Sequence, residues 1–259
     1  MALFTDAYVI TLADLLPFES SLVQVASSHA IDVDTKINLS ISAIGDELMR
    51  WLLNSQASDP QWLNRRVLGL STVVVTPPLH RWVCFDSLSR FFAEAYNVQL
   101  NTRFQGKWTE YQQQAADAAN LAFMSDIGLV YNPLPKPAMP ILSVATGNIP
   151  AQAVFVQTAW TDVNGNESAL SPANGVILAG SSSLSVAVKP HGIHRPTAAV
   201  GWNVYASNTE NTLTRQNAAP LPGYELWNFP GTGLITGPAA LNGQLPSVYL
   251  ALARQIQRG

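Results

Sequence analysis

The chain holds one cysteine, Cys84, in 259 residues, so no disulfide can close within it and folding in a reducing compartment is accommodated. Charge is scarce too: Asp, Glu, Lys and Arg make up 12%, well below the usual share. So little charge at this size points to a surface partly covered by neighbouring subunits. No run of 18 apolar residues occurs, so no membrane-spanning helix is expected. The opening "MALFTDAYVITLADLLPFES" lacks a basic start and carries Asp6 and Asp14, so it does not read as a signal peptide. Residues 1–131 carry 8 Lys+Arg against 13 Asp+Glu, a balance of −5; residues 132–259 carry 6 against 4, a balance of +2. Neither half has the basic concentration of a protein that grips nucleic acid through its phosphates.

The recognisable chemistries are also missing. There is no G-x-S-x-G nucleophile elbow and no phosphate-binding glycine loop; "AGSSSLS" reads as the entry to a strand. Cys84 lies in "RWVCFDSL", among large apolar residues on a helix, and reads as a buried inert thiol. His191 and His194 in "HGIH" are a metal-like pair, but the other histidines, His29 and His80, are far away in sequence, and a transition-metal site needs three or four ligands. "DVNGNES" is oxygen-rich in the manner of a calcium loop. Its Gly165 falls at the fourth position rather than the sixth, and Ala173 stands where a bidentate Glu should, so a tight turn is expected. Asp32, Asp34, Asp46 and Glu47 fall near caps or on polar helix faces. The reading is therefore of a protein that is not an enzyme and takes no cofactor or metal.

What is present is order. Val33, Ile37, Ile41, Ile44, Leu48, Trp51 and Leu52 recur at helical spacing, with Asp32 or Asp34 available as the cap. Asp59-Pro60 predicts the start of a short helix, and "STVVVTPP" an extended segment that stops at its prolines. Leu79, Trp82, Val83, Leu88, Phe91, Phe92 and Ala95 predict a second long helix; Trp108, Tyr111, Ala115, Ala118, Ala119, Ala122 and Phe123 predict a third, ended by Gly128. Three antiparallel helices in a small bundle account for residues 1–131. Four prolines in "NPLPKPAMP" then mark 132–140 as a stiff, extended linker.

Beyond the linker the period falls to two. "AVFVQTAW", "SSSLSVAVKP", "VGWNVYAS", "LTRQNAA" and "YELWNFP" read as short strands, giving an antiparallel β-sandwich, immunoglobulin-like, over 141–245. In "GWNVYAS", Trp202, Val204 and Ala206 take one face and Asn203, Tyr205 and Ser207 the other, as in a half-buried strand that opens a hairpin. The tail, 246–259, is expected to dock as a strand or a short helix. The fold class is thus α+β and multi-domain.

Local wording adds a resemblance. "VVVTPPLHRW" followed by "FFAEAYNVQLNTRFQGKWTEYQQQAADAANLAFMSDIGLVYNPLPKP" resembles the head-to-tail connector (adaptor, or head-completion) proteins of tailed bacteriophages. The later stretches "QTAWTDVNGNESALSP", "GWNVYAS" and "NGQLPSVYL" resemble immunoglobulin-like or fibronectin-type modules appended to phage structural proteins. The resemblance implies a virion structural protein at the head–tail interface, made in the host cytoplasm. It also implies a homo-oligomeric ring, a dodecamer, that joins the portal protein to tail or nozzle proteins. Genomic DNA would touch the lumen in transit, and the acidic balance of the helical half would discourage gripping it. Trp82, Arg103, Phe104, Lys107 and Trp108 are the candidate interface residues, with Arg254 and Arg258 of the tail reaching a neighbour or the portal. The rival expectation is a surface- or carbohydrate-binding protein in which Trp202, Tyr224 and Trp227 form a stacking platform.

Overall fold

A computed structural model of the chain describes residues 1–7, 9–54, 66–100, 102–189, 195–210, 212–241 and 243–250. Helices come first and antiparallel sheets follow, the α+β architecture expected from the sequence. Two compact units result, and the chain passes between them after Asp6, after Tyr131 and after Leu245. A helical unit comprises Ala7–Tyr131 and the chain from Pro246 onward; a β unit comprises Met1–Asp6 and Asn132–Leu245. Each unit is therefore assembled from two separated stretches.

The helical unit contains α1 (Leu12–Leu15), α2 (Leu22–His29), α3 (Val33–Asn54), α4 (Pro77–Gln99) and α5 (Thr102–Met124). The short N-terminal helices have no counterpart in the sequence reading. Pro77 and Pro78 do more than stop the extended segment before them: they occupy the first positions of α4 behind Thr76 as N-cap. Their missing N–H groups cost nothing there, because the first turn has no intrahelical acceptor to offer. Leu100 caps α4 in a left-handed conformation (φ 53°), which turns the chain back into α5.

An aromatic ladder shows that α4 and α5 run antiparallel. Trp82 meets Phe123, Phe92 stacks on Tyr111 and Tyr96 stacks on Trp108, with centroids 5.6, 5.6 and 6.1 Å apart. Helix α3 joins them through Ser40, whose hydroxyl donates to Val83 O at 3.3 Å, and through the Lys36–Glu94 ion pair. The helix expected to start at Asp59 lies outside the described residues.

Gly128 does not end α5, which stops at Met124. It sits in the strand β1 (Ile127–Leu129), paired antiparallel with β9 (Val248–Leu250). An added Cβ there would lie 2.6 Å from the Pro246 ring, so the glycine serves close approach rather than a helix cap. The tail expectation resolves to a strand over Val248–Leu250, with the remainder outside the described residues.

The β unit holds β2 (Ala138–Ile149), β3 (Gln152–Thr161), β4 (Asn174–Leu178), β5 (Ser182–Lys189), β6 (Gly201–Ser207), β7 (Thr214–Arg215) and β8 (Trp227–Asn228). They form a sheet of order β2-β5-β8 and another of order β4-β3-β6-β7. The chain changes sheet between β2 and β3, β4 and β5, β5 and β6, and β7 and β8, the Greek-key habit of immunoglobulin-like sandwiches. Between the sheets lie Val154, Val156, Trp160, Leu184, Val186, Trp202, Val204 and Trp227, all buried.

Two readings of this half change. The stretch 132–140 is not a free spacer: Leu134 is fully buried, and its N–H donates to Gln244 Oε1 at 3.0 Å. Lys136 N–H donates to Asp6 Oδ1 at 2.8 Å, and Ala138 to Pro140 already belong to β2. Pro140 is tolerated because β2 is an edge strand and the residue falls in a bulge between Ala138 and Ile141. Strand β6 is also not half-buried. Asn203 and Tyr205, assigned to its wet face, are about 1% exposed.

Candidate interface and buried polar clusters

Among the residues singled out by sequence, Trp82 and Phe104 are spent inside the helical unit. Trp82 is buried against Phe123, and Phe104 packs between His29 and Phe92 at 5.4 and 6.2 Å. Trp108 is half-buried against Tyr96. Arg103, in the first turn of α5, is exposed. Arg254, Arg258, His191 and His194 lie outside the described residues.

Lys107 has a defined partner. Its Nζ lies 2.9 Å from Glu19 Oε2 and 5.7 Å from the centre of the Tyr111 ring. Glu19 also accepts from Ser21 Oγ at 2.7 Å and from the Tyr111 hydroxyl at 3.1 Å. Burial opposes ionisation of Glu19, but hydrogen bonds from Ser21 and Lys107 and the lysine charge outweigh it, holding the carboxyl below its ordinary value. The same hydrogen bond raises Lys107. This pair fastens the segment after α1 to α5.

A line of Asp14, His80 and Cys84 went unread in the sequence, although "HRWVC" sets His80 one helical turn before the thiol. His80 Nδ1 is 3.8 Å from Cys84 Sγ, and His80 Nε2 is 3.5 Å from Asp14 Oδ1. The order is that of nucleophile, base and orienting acid. The state of the sulfur is not: Cys84 is fully buried, and burial, followed by the Asp14 charge, pushes its thiol up to about 12. At neutral pH the group is a thiol packed as a small apolar side chain.

In the β unit, the face of β6 turned away from the sandwich core builds a polar cluster. Tyr205 Oη donates to Glu167 at 2.7 Å, and Asn203 Nδ2 donates to the same carboxylate. Asn217 Nδ2 donates to Asn203 Oδ1 at 2.8 Å, while Asn217 Oδ1 accepts from Val204 N–H at 3.0 Å. Burial, then the hydrogen bond to Glu167, raises the Tyr205 phenol above its ordinary range. The cluster takes over where β7 gives out after two residues, so side-chain amides continue what the backbone ladder begins.

The "DVNGNES" turn behaves as the sequence predicts. Asp162 Oδ1 accepts from the N–H groups of Asn164 and Asn166, both at 2.8 Å, and Gly165 takes φ 81°. Its carboxylate is occupied in shaping its own loop. The three rings of the stacking-platform expectation do not meet at the surface: Trp202 and Trp227 are core residues, and only Tyr224, 90% exposed, faces solvent. By the β6–β7 turn a shallow depression is lined by Ser207, Asn208, Thr212, Thr214 and Ile235. Its hydroxyls have partners already: Ser207 and Thr212 bond each other at 3.0 Å, and Thr214 donates to Ile235 O at 3.2 Å. No known protein family, curated protein or solved structure matches the chain.

Proposed function

We propose that the chain is a subunit of a head-to-tail connector ring of a tailed bacteriophage, joining the portal protein to tail or nozzle proteins in the virion. The observation that carries this reading concerns the stretches bearing the resemblance. "VVVTPP", with Thr72 just before it, closes on "IGLV": Val74 N–H donates to Gly128 O at 2.9 Å and Val130 N–H to Thr72 O at 2.8 Å. They clamp the two ends of the α4–α5 hairpin, so the residues that resemble a connector form one structural element rather than scattered coincidences. The burial of Trp202 and Trp227 supports a structural module over a sugar-binding one.

The work of such a subunit is contact, with no bond made or broken. In this reading the helical unit meets the portal, and the β unit projects outward or contacts tail components. Head-to-tail contacts close a ring of twelve, and closure multiplies contacts that are individually weak. Native mass spectrometry of the full chain, alone and mixed with the portal protein encoded by the same virus, tests the reading. A dodecamer that forms on or with the portal is expected. A chain that stays monomeric and leaves the portal unoccupied overturns it.

A further inference from the structure

The β unit has an edge of the kind that sandwiches normally guard. Among the described residues β2 is the outermost strand of its sheet, paired on one side only, with β5. Two hydrogen bonds fix which backbone groups face outward. Gly147 N–H donates to Ser181 O at 2.9 Å, and on the far side of β5, Phe229 N–H donates to Leu184 O at 2.9 Å. By the alternation of an antiparallel ladder, Ile141, Ser143 and Ala145 bond to β5, while the N–H and C=O groups of Leu142, Val144 and Thr146 point away from the sheet. The Thr146 carbonyl also takes a long bond, 3.3 Å, from Ser183 Oγ, which leaves a second lone pair.

The usual protections are missing along this run. No Asp, Glu, Lys or Arg occurs from Pro137 to Thr161. The two irregularities of register fall at the strand ends, outside Ile141–Thr146, and Pro140 blocks only the first end. Ile141 and Val144 are half exposed, at 51% and 50%.

We propose that β2 is a self-association edge: the β2 strands of two copies of this chain pair antiparallel about a two-fold axis at Val144. An uncharged edge calls for an uncharged, extended, proline-free strand, and Ile141–Thr146 is itself such a strand. The two-fold register sets Val144 opposite Val144 and Leu142 opposite Thr146, so every outward N–H meets an outward C=O. One strand pair covers well under the ~800 Å² per partner of a standard interface, so the dimer is weak and concentration-dependent. The inference does not rest on the connector reading, whose ring uses head-to-tail contacts.

Sedimentation velocity of the full chain from micromolar to millimolar concentration is the test, with three variants. Residues opposed in a hydrogen-bonded pair lie within disulfide reach, so Val144→Cys gives a covalent dimer on mild oxidation. Ile177→Cys, 85% exposed on β4, does not. Val144→Lys sets two ammonium groups against each other and weakens the dimer about tenfold or more. A thermal melt of each variant confirms that it is folded. A chain monomeric throughout the range overturns the proposal. So does association that Val144→Lys leaves unchanged, or Ile177→Cys cross-linking as readily as Val144→Cys.

Discussion

The helical unit and the β unit both bury a glutamate, and they satisfy it in opposite ways. Glu19 is answered by a cation, Lys107, at the rim of an aromatic core. Glu167 is held by a phenol and an amide, Tyr205 and Asn203, on a sheet face sealed from water. Lys107 keeps its ammonium in reach of solvent, which screens the pair from one side, so the pair contributes modestly. A sealed network of directional bonds works differently: it tolerates one register of its strands and penalises the others. The helical unit is thus specified mainly by ring packing, and the β unit by packing on one face of its four-stranded sheet and hydrogen bonds on the other.

The contrast can be broken most forcefully at the two cores. Trp202→Ala in the β unit and Phe92→Ala in the helical unit each remove a ring almost wholly out of water. Each is expected to cost about 3–5 kcal/mol in urea denaturation. Hydrogen exchange then shows whether the loss of protection stays within the unit that carries the change. Next in size is Glu167→Ala, which strands the Tyr205 hydroxyl and the Asn203 amide in a buried site. A loss of about 2–3 kcal/mol is expected, and Glu167→Gln should recover part of it.

Acid sharpens the comparison further. Because folding depresses the Glu19 carboxyl below its unfolded value near 4.5, its contribution is complete above that pH and fades as pH falls through the folded value. The stability gap between the parent chain and Glu19→Gln should therefore be widest near neutrality and close in acid, below the unfolded value, in pH titrations of the melting temperature. The smallest effect is none at all: Cys84 should resist iodoacetamide in the folded chain and react only on denaturation, as mass spectrometry of timed samples would show. Prompt labelling would mean that the Asp14–His80–Cys84 line is open to solvent.

Much of this was legible in the sequence where one pattern had one cause. The apolar spacing from Val33 to Leu52 gives α3, and the alternation of Leu184, Val186 and Val188 gives β5, because a single buried stripe or face set each pattern. Strand β2 hid behind prolines. Pro140 signals a break in any central strand, and only its place at a bulged edge makes it compatible with one. Gly128 misled in the opposite sense, since the residue type that caps helices is also the one that lets a proline ring touch a strand. Asn203 and Tyr205 read as a wet face because alternation reports polarity, and polarity does not distinguish water from a buried carboxylate. Of the candidate interface residues, Trp82 and Phe104 were conspicuous because they are large, which is also why they belong to the core.

The split membership of the chain has a consequence for synthesis. Met1–Asp6 belong to the unit whose other stretch runs to Leu245, so that unit cannot close until the whole of Ala7–Tyr131 and its own second stretch have been made. The helical unit, nearly complete by Tyr131, still waits for its closing strand until Leu250 has been added. Each unit therefore waits on residues that follow a stretch of the other, and neither can finish from one contiguous run of chain.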